Sequence, residues 1–141
     1  MDQYIEFAFN HPLLIGALLG VLALIAWTEF KRATRKYRSL GPAEVVQLMN
    51  HEDTVLLDVR DDSEIKGGVI GGARHITLNL LSKRLSELER FKDKTIVAYC
   101  RSGMRSQTAC DVLTRNQFQK VVNLQGGISA WEQAGLPVKK K

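Results

Sequence analysis

A cysteine stands at the start of a loop that also carries two arginines. Cys100 follows the short, β-prone run Thr95–Tyr99 and precedes a segment whose apolar residues have helical spacing. This pattern predicts a strand, a tight loop and a helix, with the N–H groups of the loop and the positive end of the helix facing inward. Arg101 and Arg105 lie in the same turn. The stretch therefore predicts a bowl for an anion, with a thiol at its base.

The same surroundings should make the thiol a nucleophile. A free cysteine has a pKa of about 8.5, which falls to roughly 3.5–7.5 at helix N-termini or beside cations. We expect Cys100 to be largely a thiolate at neutral pH without a histidine as base, and its substrate to carry negative oxygens for Arg101 and Arg105. The alternative is a structural cysteine buried at a strand end, which is common for this residue type.

Three segments resemble the rhodanese family, in the family's order and spacing, over about residues 40–137. They are Cys100-Arg-Ser-Gly-Met-Arg105, similar to the active-site loop of rhodaneses that use thiosulfate; Leu57-Asp58-Val59-Arg60 with Glu64 and Gly72-Ala73; and Leu124 to Trp131, similar to the closing Leu-x-Gly-Gly-x-x-x-Trp. Many members have Gly-His-Ile-Pro-Gly-Ala, where this chain has Gly68-Val69-Ile70-Gly71-Gly72-Ala73. We interpret that departure as altered loop packing.

The resemblance implies a sulfurtransferase that works by double displacement. The thiolate would attack the outer sulfur of thiosulfate or a similar donor, sulfite would leave, and the resulting persulfide would pass its sulfur to a thiol or to cyanide. Cys100 would be catalytic, and the substrate-binding residues would be Arg101, Ser102, Gly103, Met104, Arg105 and Ser106. Asp58 and Arg60 would support the site, with Arg60 and Glu64 spaced to pair. No cofactor or metal is implied.

Two other functions remain open. Cysteine phosphatases also place a thiolate under an amide-lined loop, but they have five residues between cysteine and arginine, whereas Arg105 follows Cys100 after four. The residue before the cysteine is Tyr99 rather than their usual histidine. The other alternative is a membrane-tethered module that binds a protein partner or carries sulfur with little turnover of its own.

The elements around the loop predict an α/β fold. A helix opening at Pro42 is followed by four apolar strands, at 55–59, 73–78, 95–99 and 121–124. A core-facing helix carrying Leu81, Leu85, Leu88 and Phe91 and a last helix with Trp131 complete the pattern. Alternating strands and helices predict an open parallel sheet of about five strands with helices on both faces. Such sheets bind ligands at the carboxyl ends of their strands, where Cys100 would lie.

Composition excludes several classes of function. The net charge of +5 comes from the chain ends, since residues 41–138 hold twelve acidic and twelve basic side chains. We therefore infer no nucleic-acid binding. No His/Cys cluster has metal-ligand spacing, and the glycine-rich stretch 67–73 lacks the GK[ST] of nucleotide loops.

The N-terminal segment predicts a single membrane span. Residues 13–27 carry no charge, and 12–30 would make a helix of about 28 Å, close to the ~30 Å hydrocarbon core. A signal peptide would begin with basic residues, whereas this chain begins with Asp2 and Glu6. A buried core helix would show a polar face.

The charges beside this span predict its orientation. Five Lys/Arg fall between 31 and 38 and none before the span. Because basic residues favour the cytoplasmic side of a span, we expect the C-terminal domain in the cytoplasm and the span in the cell membrane, such as a bacterial inner membrane. We expect an external N-terminus (1–11), a span (12–30), a basic linker touching anionic lipid (31–40), the domain (41–138) and a basic tail (139–141). Other membrane proteins are candidate partners. A cytoplasmic domain would also keep Cys100 reduced.

Overall fold

A computed structural model describes residues 1–140 of the chain. The chain divides into two compact units, Met1–Arg35 and Lys36–Lys141. The first unit consists of helices α1 (Asp2–Asn10) and α2 (Pro12–Ala33). The second contains the sheet and every residue of the predicted active-site loop.

Helix α2 has the length and composition of a membrane span. It starts with Pro12 in its first turn, ends with Lys31 and Arg32 in its last turn, and has no buried residue. It is the one helix among residues 1–140 that is long and apolar enough to cross a bilayer. A signal sequence near an N-terminus can satisfy the same criteria of length and composition. The helix runs three residues beyond the predicted end of the span at residue 30.

The second unit is built on a five-stranded parallel sheet in the order β1-β5-β4-β2-β3. Its strands are β1 (Arg38–Leu40), β2 (Thr54–Asp58), β3 (Arg74–His75), β4 (Thr95–Tyr99) and β5 (Val121–Leu124). Its helices are α3 (Pro42–His51), α4 (Leu78–Leu81), α5 (Met104–Arg115) and α6 (Gly127–Gln133), with 3₁₀ segments at Ile65–Gly67 and Leu85–Phe91. The predicted α/β fold with a parallel sheet is confirmed.

Both faces of the sheet are covered, because strands β2, β4 and β5 alternate their side chains between two apolar clusters. On one face Ile96 and Ala98 of β4 pack with Ala109 and Leu113 of α5. On the other face Val97 and Tyr99 pack with α3 and α6, including Trp131. Central strand β4 is buried along its whole length and ends next to Cys100. The loop after β4 therefore starts from a strand that is fully buried in the core.

Three details differ from the sequence-based expectation. Residues 38–40, assigned to the basic linker, form edge strand β1, which pairs with β5. The strand expected over 73–78 is reduced to Arg74–His75. The single helix expected around Leu81 to Phe91 is instead the short α4 followed by a 3₁₀ segment. Leu85, Leu88 and Phe91 are spaced by three residues, which is the period of a 3₁₀ helix as much as of one helical face.

Candidate active site

The cysteine loop crosses from the end of β4 to the start of α5. Gly103 precedes the first helical residue and has φ +98°, a left-handed conformation that glycine adopts without steric cost. This turn directs the Gly103 N–H back to the sulfur, at 3.1 Å from Cys100 Sγ. The inward-facing N–H predicted for the loop is therefore present at Gly103.

Hydrogen bonds to the sulfur favour the thiolate. Burial by itself raises the pKa of the Cys100 thiol. The hydrogen bonds outweigh burial and leave the pKa below its ordinary value. They come from the Ser106 side chain, whose Oγ lies 3.6 Å from Sγ, and from the backbone N–H groups of Ser106, Gly103 and Ser102. Ser106 Oγ accepts from the protonated thiol, and once the thiol is ionised the hydroxyl can turn its proton to the sulfur. The sequence predicts that the helix N-terminus and the arginines lower this pKa. In the structure the main causes are the Ser106 side chain and the N–H groups at the start of α5, and Arg105 interacts with the charge on Cys100 as well.

The loop is closed over the sulfur in this structure. Cys100 is 0% exposed and packs in the apolar cluster beneath α5, so the expected open bowl is not observed. Gly103 and Ser106 are also buried, whereas Arg101, Ser102 and Met104 are exposed. A donor can reach the thiol only after side chains or backbone of the loop move.

A buried polar chain leads away from the thiol, and sequence reasoning missed its second member. The Ser106 hydroxyl donates to Asn123 Oδ1 at 2.5 Å, and Asn123 Nδ2 donates to Ser39 Oγ at 3.5 Å. Asn123 is 1% exposed in the middle of β5. The sequence does indicate this residue, because Asn123 is the one polar side chain in the apolar run 121–124. A buried amide needs hydrogen-bond partners, so its presence there predicts a polar contact in the core. Asn123 fixes the position of Ser106 beside the sulfur.

Arg105 is paired with a carboxylate from another loop. Its two terminal nitrogens donate to the two carboxylate oxygens of Glu64, at 2.6 and 2.8 Å, and Asp61 Oδ2 lies 3.9 Å away. The Arg105 hydrogen bonds, stronger than the opposing effect of burial, lower the pKa of Glu64 to about 2. The predicted Arg60–Glu64 ion pair is therefore wrong. Glu64 instead binds a residue 41 positions further along the chain.

Asp58 and Arg60 form a buried ion pair beneath the loop that follows β2. The Arg60 guanidinium donates to Asp58 Oδ2 at 2.7 Å and to the Gly68 carbonyl oxygen at 2.7 Å. Asp58 is 0% exposed and also accepts from the backbone N–H of Arg60. The pair thus ties the segment 60–68 together, and Asp58 takes no hydrogen bond from the backbone of the cysteine loop among the described residues.

The N-terminus of α6 holds the backbone of the cysteine loop. Ile128 N–H donates to the Cys100 carbonyl oxygen at 2.9 Å, and Ser129 N–H donates to that of Arg101 at 3.1 Å. Gly127 makes this approach possible, since a Cβ there would lie 2.6 Å from the carbonyl carbon of Arg101. These contacts explain why a Gly-Gly turn belongs with the cysteine loop. Trp131, expected to anchor the core, is 4% exposed.

The loop that departs from the resembled pattern packs against the C-terminal segment. Val69 and Lys139 exchange two backbone hydrogen bonds of 2.7 Å. A Cβ at Gly71 would lie 3.3 Å from the Lys139 side chain, so a larger residue there would crowd this lysine. The unusual residues at 69 and 71 thus accompany a contact with the end of the chain. None of these contacts involves Cys100.

A cleft of about 260 Å³ borders the loop. It is lined by side chains of both charge signs and by part of the start of α6: Arg60, Glu64, Gly67, Gly68, Arg101, Ile128, Ser129 and Glu132. Arg101 has no ion-pair partner within residues 1–140. In that same part of the chain no group of three or more His, Cys, Asp or Glu side chains is placed to hold a metal ion.

The lowered pKa of Cys100 predicts how its reactivity depends on pH. We expect the rate of alkylation by iodoacetamide to rise with pH along a curve whose midpoint lies below about 8.5, the value for a free cysteine. Peptide mass spectrometry separates Cys100 from Cys110, whose pKa is raised by burial and which should remain unlabelled. Ser106→Ala should move the midpoint upward because it removes the hydroxyl hydrogen bond. A midpoint at or above that of free cysteine would contradict the assignment of these hydrogen bonds.

Comparison with known proteins agrees with this fold. Residues 41–134 match the rhodanese-like domain. The chain is 30% identical over 139 residues to the uncharacterised protein YibN of Escherichia coli (strain K12), covering 98% of this chain and 97% of that protein. It is 42% identical over 92 residues to a sulfurtransferase of Allochromatium vinosum, covering 65% and 84%. A crystal structure of a rhodanese-related protein from Thermoplasma volcanium matches with a TM-score of 0.67 and 30% identity, covering 74% and 100%.

The chain therefore belongs to the rhodanese family, and the resemblance noted in the sequence is confirmed. Several relatives in this family are named sulfurtransferases.

Proposed function

We propose that the chain is a sulfurtransferase that moves a sulfane sulfur, from thiosulfate or a similar donor, through a persulfide on Cys100. The observation that carries this proposal is the set of N–H and O–H groups around Cys100 Sγ, with the Gly103 N–H at 3.1 Å, which lowers the pKa of the thiol. Membership of a family with named sulfurtransferases supports the same reaction class.

In the first half-reaction the Cys100 thiolate attacks the outer sulfur of the donor. The donor's S–S bond breaks, and its electron pair leaves with the sulfite when the donor is thiosulfate. Arg101 and Arg105 bind the donor's oxygens. The backbone N–H groups of Ser102, Gly103 and Ser106 hold the negative charge of the persulfide, as an oxyanion hole holds oxygen. Met104 lies in the same loop and is 76% exposed, so it can contact a donor that approaches from solvent.

In the second half-reaction a thiol or cyanide attacks the outer sulfur of the persulfide and regenerates the thiolate. The N–H groups stabilise the thiolate before transfer and the persulfide anion after it, so the persulfide can persist until an acceptor binds. Because Cys100 is 0% exposed, each half-reaction requires the loop to open. Asp58 and Arg60 support the site by holding the segment that carries Glu64, the partner of Arg105.

The kinetic test is double displacement. Initial rates with thiosulfate as donor and cyanide as acceptor should give parallel double-reciprocal lines when each is varied at fixed levels of the other, because the donor's remnant leaves before the acceptor binds. Intersecting lines would contradict a persulfide intermediate. A phosphotyrosine analogue should be turned over far more slowly than thiosulfate, and the opposite order would favour the phosphatase alternative.

We further propose that α2 anchors the domain in a membrane, with residues 1–11 outside and the domain in the cytoplasm. The helix length, the acidic start and the basic residues at 31–38 support this arrangement. Tethering would hold the domain near membrane partners that deliver or accept sulfur. Retention of Met1 in membrane fractions, with the domain protected from protease added outside, is the expected result. A chain cleaved after α2 would show a signal sequence instead.

A further inference from the structure

Two of the three arginines around the thiol already have carboxylate partners. Arg60 is paired with buried Asp58. Arg105 donates hydrogen bonds to both carboxylate oxygens of Glu64, and its Nη1 lies 3.9 Å from Asp61 Oδ2. Arg101 alone of the three makes no ion pair with a carboxylate among residues 1–140. The site is therefore much less positive than its arginine count suggests.

The cleft beside the cysteine loop also contains side chains of both charge signs. Its lining includes the cations Arg60 and Arg101 and the carboxylates Glu64 and Glu132. Ile128 and Ser129 line the cleft, and their N–H groups donate to the carbonyl oxygens of Cys100 and Arg101, so the cleft lies beside the backbone of the cysteine loop. A ligand with two negative charges would meet two carboxylates there. A ligand with one negative charge would be repelled by the same carboxylates about half as strongly.

Glu64 decides how Arg105 meets a donor. The carboxylate occupies the two terminal N–H groups with which Arg105 would otherwise bind a sulfonate bidentately. A dianion must displace this carboxylate or lie beside it, and each additional negative charge on the donor increases the repulsion. The Glu64 side chain is 25% exposed, so water screens this repulsion only in part.

We propose that Glu64 is a specificity-determining residue that disfavours dianionic donors, so that the chain uses a donor with at most one negative charge more efficiently than it uses thiosulfate. This inference rests on the proposed sulfurtransferase function. A hydropersulfide R–S–SH belongs to this class of donor. The Cys100 thiolate attacks its outer sulfur, the S–S bond breaks, R–S⁻ leaves with the electron pair, and the outer sulfur keeps its proton on the cysteine.

Two donors that differ by one charge test the proposal. Thiosulfate is a dianion, and methanethiosulfonate is a monoanion in which a methyl group replaces one charged oxygen; both deliver a sulfane sulfur bound to a sulfonyl group. The quantity measured is the ratio of kcat/KM for thiosulfate to kcat/KM for methanethiosulfonate, with the purified full chain in detergent and cyanide as acceptor. Differences in leaving group cancel when variants are compared by this ratio.

Glu64→Gln keeps the shape and can still accept a hydrogen bond from Arg105, but it removes the charge. The ratio should rise about tenfold toward thiosulfate, chiefly through a lower KM for the dianion. Glu87→Gln is the matched control, because Glu87 also binds an arginine, Arg84, through both oxygens, outside the cysteine loop and its bordering cleft. It should leave the ratio unchanged.

The outcomes separate this inference from the proposed function. If Glu64→Gln leaves this ratio at or below the wild-type value, for example by lowering kcat/KM for both donors by the same factor, the selectivity proposal is overturned. Glu64 then only positions Arg105. The methanethiosulfonate rate shows in the same experiment whether the variant is folded and active. If neither donor leaves sulfur on Cys100 of the wild-type chain, the sulfurtransferase function fails, and this inference with it.

Discussion

Cys100→Ser should lower sulfur transfer from thiosulfate to cyanide by at least about a thousandfold. Serine fits the same space and can accept the Gly103 N–H, but its hydroxyl stays protonated at neutral pH and is a poor nucleophile toward sulfur. The surrounding donors cannot compensate, because they stabilise an anion that serine does not form. Thiocyanate production by the purified full chain measures the loss.

The second free cysteine provides the control. Cys110 is buried in α5 and burial raises its pKa, so it is not expected to take part in the reaction. Cys110→Ala should keep transfer within about threefold of wild type, with a modest loss of stability from the small cavity. If Cys100→Ser retained substantial transfer, or if Cys110→Ala lost it, the assignment of the nucleophile would be wrong.

Gly127→Ala should both destabilise the domain and disable the cysteine loop. Gly127 has φ +61°, and a Cβ there would lie 2.6 Å from the carbonyl carbon and oxygen of Arg101 and also meet the Cys100 carbonyl oxygen. Either the loop or the start of α6 must move, which weakens the hydrogen bonds from Ile128 and Ser129. We expect a loss of about 3 kcal/mol in the free energy of unfolding, measured by urea denaturation of the full chain in detergent.

Gly135→Ala separates the two causes of that loss. Gly135 has φ +76°, but no atom lies within 4 Å of the position its Cβ would take. The free energy of unfolding of this control should therefore fall only by the cost of a left-handed backbone conformation, about 1–2 kcal/mol. The reactivity of Cys100 should be unchanged. Equal stabilities for the two alanine variants, with equal reactivity of Cys100, would show that Gly127 does not position the loop.

The sequence predicted what neighbouring residues determine. The strand–loop–helix around Cys100 depends on the apolar run 95–99, the glycine at 103 and the helical spacing that follows, all within about twenty residues. The parallel sheet follows from the alternation of strands and helices. The core position of Trp131 follows from its place in an apolar helix. These features did not require knowledge of which distant residues meet.

The features that sequence reasoning missed depend on contacts between distant segments. Glu64 has Arg60 four residues away, but Asp58 already occupies that guanidinium and leaves Glu64 to Arg105. Asn123 contacts Ser106 only because β5 lies beside β4 in the sheet. Strand β1 was missed because its three residues include Arg38 and Ser39, which resemble a linker. Closure of the loop over the thiol also depends on packing that the sequence does not display.

The central claim is that Cys100 carries the transferred sulfur, and mass spectrometry after a single half-reaction tests it most directly. The full chain is incubated with thiosulfate, freed of donor, and digested without reducing agent. We expect the peptide containing Cys100 to gain the mass of one sulfur atom, and to lose it when cyanide is added. An unmodified Cys100 in a chain that still produces thiocyanate, or sulfur bound at Cys110 instead, would contradict the account.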